Sequence, residues 1–337
     1  MMQNRDVVVV AVSTGGLAAL EELLGDLDPA LPASVFVAMH VDGYRSVLPT
    51  LLRRHTRWRV QHAVDGEPFA HGVVYVAPPD RHLILQHDTT VLTRGPKENF
   101  TRPAADPLFR SAAMHYGARV VGIVLTGRLD DGAAGLKLVK ACGGVAIVQD
   151  PADSVAQDMP ANAIAAVPSA LVLPLQQIGQ ALASAVEATM PLHSAALGSP
   201  SDILRAEARM TETGQSSASV LERIGHQAGL TCPECGGAIW RVDTGLPVRY
   251  RCHTGHAFSS VSLHAAHAEK VDDALWFAAR LLRERIILAG EEIATGGASP
   301  EATSRLRAAV GRWETAYQQL RALAALTDSP LADTDTV

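Results

Sequence analysis

Short runs of apolar residues alternate with helix-like segments along the first 190 positions of the chain. Three of these runs, Val7–Val12, Val35–Met39 and Val120–Leu125, contain no charged residue, which is typical of strands buried on both faces of a parallel sheet. Leucines at helical spacing follow the first run, at positions 17, 20, 23 and 24, so a helix is expected directly after the first strand. This alternation predicts an α/β fold built on a doubly wound, mostly parallel sheet.

The other elements of this region are predicted from the same patterns and from the turn residues between them. Asp88-Thr89 separates two runs of β-forming residues and predicts a hairpin at one edge of the sheet. The hairpin strands are His82–Gln86 and Thr90–Thr93; further strands are predicted at Val73–Ala77, Gly144–Gln149 and Leu171–Leu173, and helices at Pro107–Tyr116 and Ala133–Ala141.

The second half of the chain divides into three segments of different character. Residues 191–228 are poor in large apolar side chains and predict a partly helical linker; residues 229–260 hold a compact cysteine-bearing segment, here called the cysteine module; and residues 261–328 hold two helical stretches. An apolar stripe at helical spacing runs along each stretch, which predicts an antiparallel helical hairpin that buries both stripes, with a dimerising coiled coil as the alternative. The stripes are Val271, Leu275, Ala278 and Leu282 in the first stretch and Leu306, Val310, Trp313, Tyr317 and Leu320 in the second.

Three chemically reactive residues follow three of the predicted strands. Ser13 comes directly after the first strand, His40 directly after the second, and Asp131 shortly after the third. Because the carboxyl ends of parallel strands meet at one edge of such a sheet, these side chains are expected to lie close together there. They are the nucleophile, the base and the orienting group of a serine hydrolase, and the amides of Thr14-Gly15-Gly16 could donate to an oxyanion.

Each part of this constellation also has a plainer interpretation. Ser-Thr-Gly-Gly at a helix start could bind a phosphate, but the sequence there lacks G-x-G-x-x-G and a Walker lysine. His40 is one of 13 histidines and could be structural, and Asp131 before Gly132 could cap a helix. The joint position of all three at one edge of the sheet favours the hydrolase.

Three cysteines and a histidine in the cysteine module have the spacing of a metal site. Cys232 and Cys235 form a C-x-x-C pair, and Cys252 and His256 follow as C-x-x-x-H. Three thiolates and one imidazole suit tetrahedral zinc, which would stabilise a segment too short to have a large core. His253 is the alternative fourth ligand, although its position next to Cys252 would strain the chelate. A structural zinc is expected, and reduced cysteines in a loop are the alternative.

Composition and charge narrow the classes of function. Of the 337 residues, 47% are apolar and 19% are charged, so a folded protein is expected. The net charge of −6 gives no general attraction for nucleic acid or for an anionic membrane. No apolar run approaches the roughly 20 residues of a membrane-spanning helix, and the N-terminus has no signal-peptide pattern. The sequence therefore predicts a cytoplasmic protein without nucleic-acid partners and without membrane insertion.

Five motifs in the first domain resemble the catalytic domain of CheB-type protein-glutamate methylesterases, in the family's order and spacing over roughly residues 6–185. They are Val-Ser13-Thr-Gly-Gly, Met39-His40, Ala77-Pro-Pro-Asp-Arg-His82, Arg102-Pro103 with Asp106, and Leu125-Thr-Gly-Arg-Leu-Asp-Asp131-Gly-Ala-Ala-Gly135. The resemblance implies hydrolysis of glutamate γ-methyl esters on chemoreceptors, in some members also glutamine deamidation, with Ser13, His40 and Asp131 as the triad and no catalytic cofactor. The implied partners are the methylated cytoplasmic helices of chemoreceptors or similar signalling proteins.

The sequence also departs from the family pattern. Arg128-Leu129-Asp130 stand where the family usually has Met-Gly-x, which bears on rate and substrate preference, and Met39 stands where glutamine is common. No receiver domain precedes residue 6, so regulation by phosphorylation within the chain is not expected. Modules that follow such catalytic domains resemble the cysteine module in carrying Cys-x-x-Gly-His, which implies His256 as the fourth ligand.

Two expectations concern the chain as a whole. The catalytic domain, residues 1–190, is expected to work without the cysteine module. The alternative to an enzyme is a regulatory protein that keeps the fold and recruits partners through the cysteine module and the helical hairpin.

Overall fold

The computed structural model describes residues 2–40, 46–188, 190–191, 201–214, 216–296 and 299–327. Its strands are β1 Met2–Gln3, β2 Val7–Val12, β3 Ser34–Met39, β4 Arg59–His62, β5 Val73–Val76, β6 His82–Gln86, β7 Thr89–Thr93, β8 Val120–Val124, β9 Val145–Gln149, β10 Leu171–Leu173, β11 Met190–Pro191, β12 Gly225–Thr231, β13 Ala238–Val242, β14 Arg249–Cys252 and β15 Ala257–Ser259. Its α-helices are α1 Gly16–Asp26, α2 Leu48–Leu52, α3 Ala105–Tyr116, α4 Ala133–Ala141, α5 Asp158–Ala166, α6 Leu175–Glu187, α7 Asp202–Thr213, α8 Ala218–Ile224, α9 Ser260–Thr295 and α10 Pro300–Thr327.

Seven strands form one sheet in the order β10-β9-β8-β2-β3-β5-β4, and every neighbouring pair is parallel. All six residues of β2, at the centre, are buried, as its wholly apolar sequence predicts. Alternate residues of β2 contribute to two separate cores, one packed with α1 and α6 and the other with α3, α4 and α5. Helices therefore cover both faces of the sheet, which confirms the predicted doubly wound fold.

Two elements differ from the sequence prediction. The edge strand β4 was not predicted, because Val60 is the only apolar residue among its four. The hairpin β6–β7 is present, but it forms a two-stranded sheet of its own instead of extending the main sheet. The Leu85 amide in this hairpin donates a hydrogen bond to Ser111 Oγ of α3 at 3.0 Å, so the hairpin packs against that helix.

The segment predicted as a partly helical linker contains two helices that pack against their surroundings. Ala208 of α7 belongs to the core beneath α3, and Leu221 and Ile224 of α8 pack with Trp240 and Val242 of the cysteine module. Residues 1–263 form one compact unit. The predicted division into separate functional domains stays a prediction, but residues 201–224 join the parts of this unit through packed side chains.

The cysteine module folds as the four-stranded antiparallel sheet β12-β13-β14-β15. Its last strand also bonds to the main chain of the α/β domain, the part of the chain from β2 to α6. The Asn99 amide donates to Ala257 O at 2.7 Å, and the Ala257 amide donates to Lys97 O at 3.2 Å. The module is thus joined to the α/β domain by a short parallel bridge as well as by side chains.

Residues 264–337 form a second compact unit, whose described part consists of most of α9 and of α10. The guanidinium of Arg285 lies 4.1 Å from the Trp313 ring centroid, and that of Arg283 lies 5.9 Å from the Tyr317 ring centroid. Arg283, which precedes Arg285 in α9, faces Tyr317, which follows Trp313 in α10. The two helices therefore run antiparallel, as the hairpin interpretation predicts. None of the helices within the described ranges is long and apolar enough to cross a membrane.

Candidate active site

The register of the central strands places Ser13 and His40 side by side. Strands β2 and β3 pair in parallel with Val12 opposite Met39, so the next residue of each strand leaves the sheet at the same level. Strand β8 lies on the other side of β2, and the loop after it carries Asp131 back towards the same edge. The three residues predicted from the strand ends are therefore brought together by the sheet.

The side chains of these three residues form a continuous hydrogen-bonded chain. Ser13 Oγ lies 3.2 Å from His40 Nδ1, and His40 Nε2 lies 2.8 Å from Asp131 Oδ2. The His40 side chain is 27% exposed, whereas that of Asp131 is 1% exposed. A proton on Nε2 donated to Asp131 leaves Nδ1 to accept the hydroxyl proton of Ser13, which is the protonation state a general base requires.

The carboxylate of Asp131 is fixed by four donors. Besides His40, its oxygens accept the Ala105 amide at 2.6 Å, the Asp106 amide at 3.1 Å and Asn99 Nδ2 at 2.9 Å. Burial raises the pKa of Asp131, but these hydrogen bonds, led by that from His40, outweigh burial and hold the pKa below its usual value. Asp131 therefore stays ionised while almost inaccessible to water.

Asp106 holds the loop that carries Asp131. Its Oδ1 accepts the amides of Gly135 at 2.8 Å and Gly132 at 3.2 Å, both at the start of α4. Gly132 has φ of 94°, and a Cβ added there would lie 2.9 Å from Ala11 Cβ, so this tight turn requires glycine. The Asp-Gly-Ala-Ala-Gly sequence thus serves the close approach of this loop to α3 and β2.

The turn after Ser13 supplies the candidate oxyanion donors. Of the three amides expected there, that of Gly16 donates to Ser13 O at 2.8 Å, which leaves those of Thr14 and Gly15 as candidates. Gly127 lies beside this turn, and an added Cβ would come within 2.1 Å of Met159 Sδ and 2.9 Å of Ser13 Cβ. Only glycine fits between these side chains, so Gly127 sets the close packing around the serine.

The aspartate before Asp131 has a different environment. Asp130 Oδ1 accepts a hydrogen bond from Ser259 Oγ of β15 at 2.7 Å. Burial raises the pKa of Asp130 to about 6, although the Ser259 bond opposes the rise. Of the two adjacent aspartates, Asp131 contacts His40 and Asp130 contacts the cysteine module.

A cluster of buried charges lies beneath Asp131, here called the arginine–carboxylate cluster. Arg249 donates to Glu207, Asp106 and Glu98, Arg251 donates to Glu207 and Glu98, and Arg110 also pairs with Glu98. Each of these side chains is at most 3% exposed. Burial raises the pKa of Glu98, but the three arginines outweigh burial and hold it well below its usual value. The cluster therefore balances three arginines against three carboxylates.

Sequence reasoning did not find Glu98, Asn99, Arg249 or Arg251. The arginines lie in an otherwise ordinary strand pattern, Arg-Tyr-Arg, and their partners lie about 40 to 150 residues earlier in the chain. One signal was present in the sequence, because Arg249 and Arg251 are two residues apart and therefore face the same side of a strand. If that side is buried, as it is here, both arginines require acidic partners, since unpaired charges cannot be buried.

The four predicted metal ligands lie together in the cysteine module. Cys235 Sγ and Cys252 Sγ are 3.8 Å apart, and His256 Nδ1 lies 3.5 Å from Cys252 Sγ and 3.7 Å from Cys232 Sγ. Zn–S bonds of about 2.3 Å and a Zn–N bond of about 2.0 Å in a tetrahedron require S···S near 3.8 Å and S···N near 3.5 Å. The donor set and its spacing fit a tetrahedral metal. His253 is exposed, and its ring packs over Gly237, outside this group of ligands.

Comparison with known proteins concerns the α/β domain. A family model described as CheB methylesterase matches residues 8–182. A protein-glutamate methylesterase/protein-glutamine glutaminase 2 of Caulobacter vibrioides is 39% identical over 185 residues, which are 53% of this chain and 53% of that protein. One of Anaeromyxobacter dehalogenans is 39% identical over 178 residues, 52% of each chain. The chain thus spans about half the length of these relatives.

A solved structure shows the same similarity. The crystal structure of the Thermotoga maritima CheB methylesterase catalytic domain superposes with a TM-score of 0.52 and 32% sequence identity, covering 54% of this chain and 99% of that domain. The shared region is the α/β sheet with its flanking helices.

Proposed function

The chain belongs to the CheB methylesterase family, and on that premise we propose that it hydrolyses γ-methyl esters of glutamate side chains on chemoreceptors or similar signalling proteins. Ser13 attacks the ester carbonyl, His40 accepts its proton and returns it to the departing methanol, and Asp131 orients His40. Water then repeats the sequence on the acyl-enzyme. Deamidation of glutamine would follow the same steps, with ammonia as the leaving group.

The observation that supports this proposal is the hydrogen-bonded chain from Ser13 through His40 to Asp131. Ser13 stands at a strand-to-helix turn, and in this proposal the amides of Thr14 and Gly15 would donate to the tetrahedral oxyanion. No step in this chemistry requires a cofactor. A binding protein that only recruits partners would need neither the ionised, buried Asp131 nor its alignment with the imidazole.

We expect Ser13→Ala to abolish turnover, because losing one member of a triad typically costs on the order of 10⁴ to 10⁶ in kcat. The measurement is methanol release from a methylated cytoplasmic receptor fragment, with covalent labelling of Ser13 by a fluorophosphonate as a second readout. Ser154→Ala is a suitable control, since Ser154 Oγ only donates to Asp150 O. A folded Ser13→Ala protein with wild-type turnover would refute the assignment. Labelling of Ser13 without hydrolysis of the receptor fragment would refute the proposed substrate but not the assignment of Ser13 as the nucleophile.

We further propose that Cys232, Cys235, Cys252 and His256 bind one structural zinc ion. The support is the fit of the thiolate and imidazole spacings to a tetrahedron and the small size of the surrounding core. When bound, zinc would hold the two loops that carry the ligands together. The set offers four protein ligands and no open position, so a role in the chemistry of Ser13 is not part of the proposal.

The remaining sequence-based expectations stay proposals. The partners proposed are methylated cytoplasmic helices of signalling proteins, and the location proposed is the cytoplasm. A dimer through the C-terminal helices remains a prediction; its motivation is the exposure of Trp276 and Phe277 on α9, at 45% and 56%.

A further inference from the structure

The two buried arginines of β14, Arg249 and Arg251, differ in their hydrogen-bond partners. Arg251 donates to Glu98, Glu207 and Thr211, all members or neighbours of the arginine–carboxylate cluster. Arg249 also binds Glu98 and Glu207, but its Nη1 reaches further, to Asn99 Oδ1 at 3.3 Å and Asp106 Oδ2 at 3.1 Å. Only Arg249 of this pair therefore touches residues that contact Asp131.

Asn99 connects the cysteine module to Asp131. Its side-chain NH₂ donates to Asp131 Oδ1 at 2.9 Å and to Asp106 Oδ2 at 3.1 Å. Its oxygen accepts from Arg249, from the Ser259 amide at 3.3 Å and from Ser262 Oγ at 3.0 Å. Three donors on the oxygen fix which way the amide points, and so hold its NH₂ group against Asp131.

All three of those donors lie in or directly after the cysteine module. The α/β domain supplies Asn99 itself but none of the described groups that orient its oxygen. Asn99 also has φ of 49°, and its amide is bonded to Ala257 O, so its backbone is held by the module too. The orientation of this side chain thus depends on residues about 150 positions away along the chain.

Arg249 also balances charge next to Asp131. Asp106 and Asp131 are buried and share Asn99 as a donor. Burial raises the pKa of Asp106 and the charge of Asp131 raises it further, while Arg249 acts in the opposite direction. Asp106 in turn holds the Gly132–Gly135 turn that follows Asp131. A change at Arg249 would therefore reach Asp131 through both Asn99 and Asp106.

We propose that the cysteine module completes the candidate active site, because its Arg249 positions Asp131 through Asn99 and so sets the alignment of His40. Arg249 and Asn99 are positioning residues in this scheme, since neither touches the reacting atoms. The inference rests on the proposed function of Ser13, His40 and Asp131. It goes beyond that function by making the C-terminal half of this unit part of the enzyme's working structure.

The matched pair Arg249→Lys and Arg251→Lys in the full chain tests this proposal. Each variant keeps one buried positive charge and loses one guanidinium fork, so the charge of the cluster is the same in both. We expect Arg249→Lys to lower kcat on the methylated receptor fragment by on the order of 10²-fold with little change in KM, as misplacement of a catalytic group does. Arg251→Lys should keep kcat near the wild-type value.

A spectroscopic readout separates positioning from loss of fold. The proton between His40 Nε2 and Asp131 is expected to give a low-field ¹H resonance, which should move or broaden in Arg249→Lys and stay in place in Arg251→Lys. Asn99→Gly is the second variant, because glycine adopts the positive φ of this position without strain while removing the amide. It should reproduce the effects of Arg249→Lys on kcat and on the resonance.

Two results would overturn the proposal. One is an equal loss of kcat in Arg249→Lys and Arg251→Lys, which would mean that both only stabilise the fold. The other is an unchanged His40 resonance in folded Asn99→Gly. If the wild-type chain hydrolyses no methyl ester, the proposed function fails, but the resonance in the three variants still decides whether Arg249 positions Asp131.

Discussion

At the scale of single residues, adjacent positions in this chain serve opposite purposes. Asp131 receives four hydrogen bonds and remains ionised, whereas its neighbour Asp130 receives one from Ser259 and has a pKa of about 6. A folded-state pKa above the unfolded value means that the native protein binds the proton more tightly. Ionised Asp130 thus destabilises the fold above about pH 6, and the penalty disappears as the pH falls towards 4.

We expect Asp130→Asn to stabilise the protein much more at pH 7.5 than at pH 4.5. Asparagine still offers an oxygen to Ser259 and removes the charge, and a shift of roughly two pKa units corresponds to about 3 kcal/mol. Urea unfolding at the two pH values measures the difference. Asp26→Asn removes the same charge at an exposed position of α1 and is the control. An equal effect of Asp130→Asn at both pH values would contradict the assigned burial penalty.

The three residues of the candidate triad could be predicted from the sequence. The residues that hold Asp131 in place, such as Asn99, could not. Ser13, His40 and Asp131 follow apolar strands, so local patterns locate them without tertiary information. Asn99 lies in a segment without helix or strand periodicity, and its function depends on Arg249 far along the chain. Long-range polar contacts leave no periodic trace, so no local pattern could have paired these residues.

At the scale of elements, β14 and β15 connect the cysteine module to the α/β domain. One face of β14 presents Arg249 and Arg251 to the arginine–carboxylate cluster, while its last residue, Cys252, belongs to the candidate metal site. The hydrophobic pattern predicted the strands of the α/β sheet well because they are buried on both faces. It could not predict the edge strand β4, whose only apolar residue is Val60, or the docking of β15 on Lys97–Asn99, which depends on backbone bonds between distant segments.

The purified chain should contain about one zinc ion, because four ligands at tetrahedral spacing bind it without an external group. Elemental analysis of wild-type protein and of the double variant Cys232→Ser with Cys235→Ser measures this, and the double variant should lose the metal. Cys142→Ser, which changes a cysteine in the α/β domain, should retain it. Retention of zinc by the double variant would refute the ligand assignment.

At the scale of the whole molecule, charged side chains from distant parts of the chain are buried together. The sequence suggests a catalytic domain in residues 1–190 that works alone, because composition shifts after that point. That independence stays a prediction, but residues 1–263 form one compact unit, and half of the arginine–carboxylate cluster, namely Glu207, Arg249 and Arg251, lies beyond residue 190. Composition shows where apolar side chains are scarce, but it does not show which charged ones are buried together.

A chain shortened after residue 190 should therefore lose both stability and turnover. Glu98 would lose Arg249 and Arg251, and Asp106 would lose Arg249; removing one partner of a buried pair typically costs about 3 to 5 kcal/mol. Unfolding by urea and methanol release from the receptor fragment, compared with the full chain, measure the two effects. The full chain carrying Ser154→Ala is the control and should keep wild-type turnover. Turnover by residues 1–190 at the rate of the full chain would contradict this prediction.

The bridge between Asn99 and Ala257 also has a consequence for the order in which the molecule is made. Asp131 leaves the ribosome about 120 residues before Arg249, which at 5–20 residues per second is a delay of roughly 6 to 24 s. During that interval the nascent α/β sheet can form, but the groups that orient Asn99 do not yet exist. If Arg249 positions Asp131 as inferred, a partly synthesised chain already contains Ser13 and His40, but its Asp131 is not yet held in the orientation that aligns His40. Hydrolysis then reaches its full rate only once synthesis has passed the cysteine module.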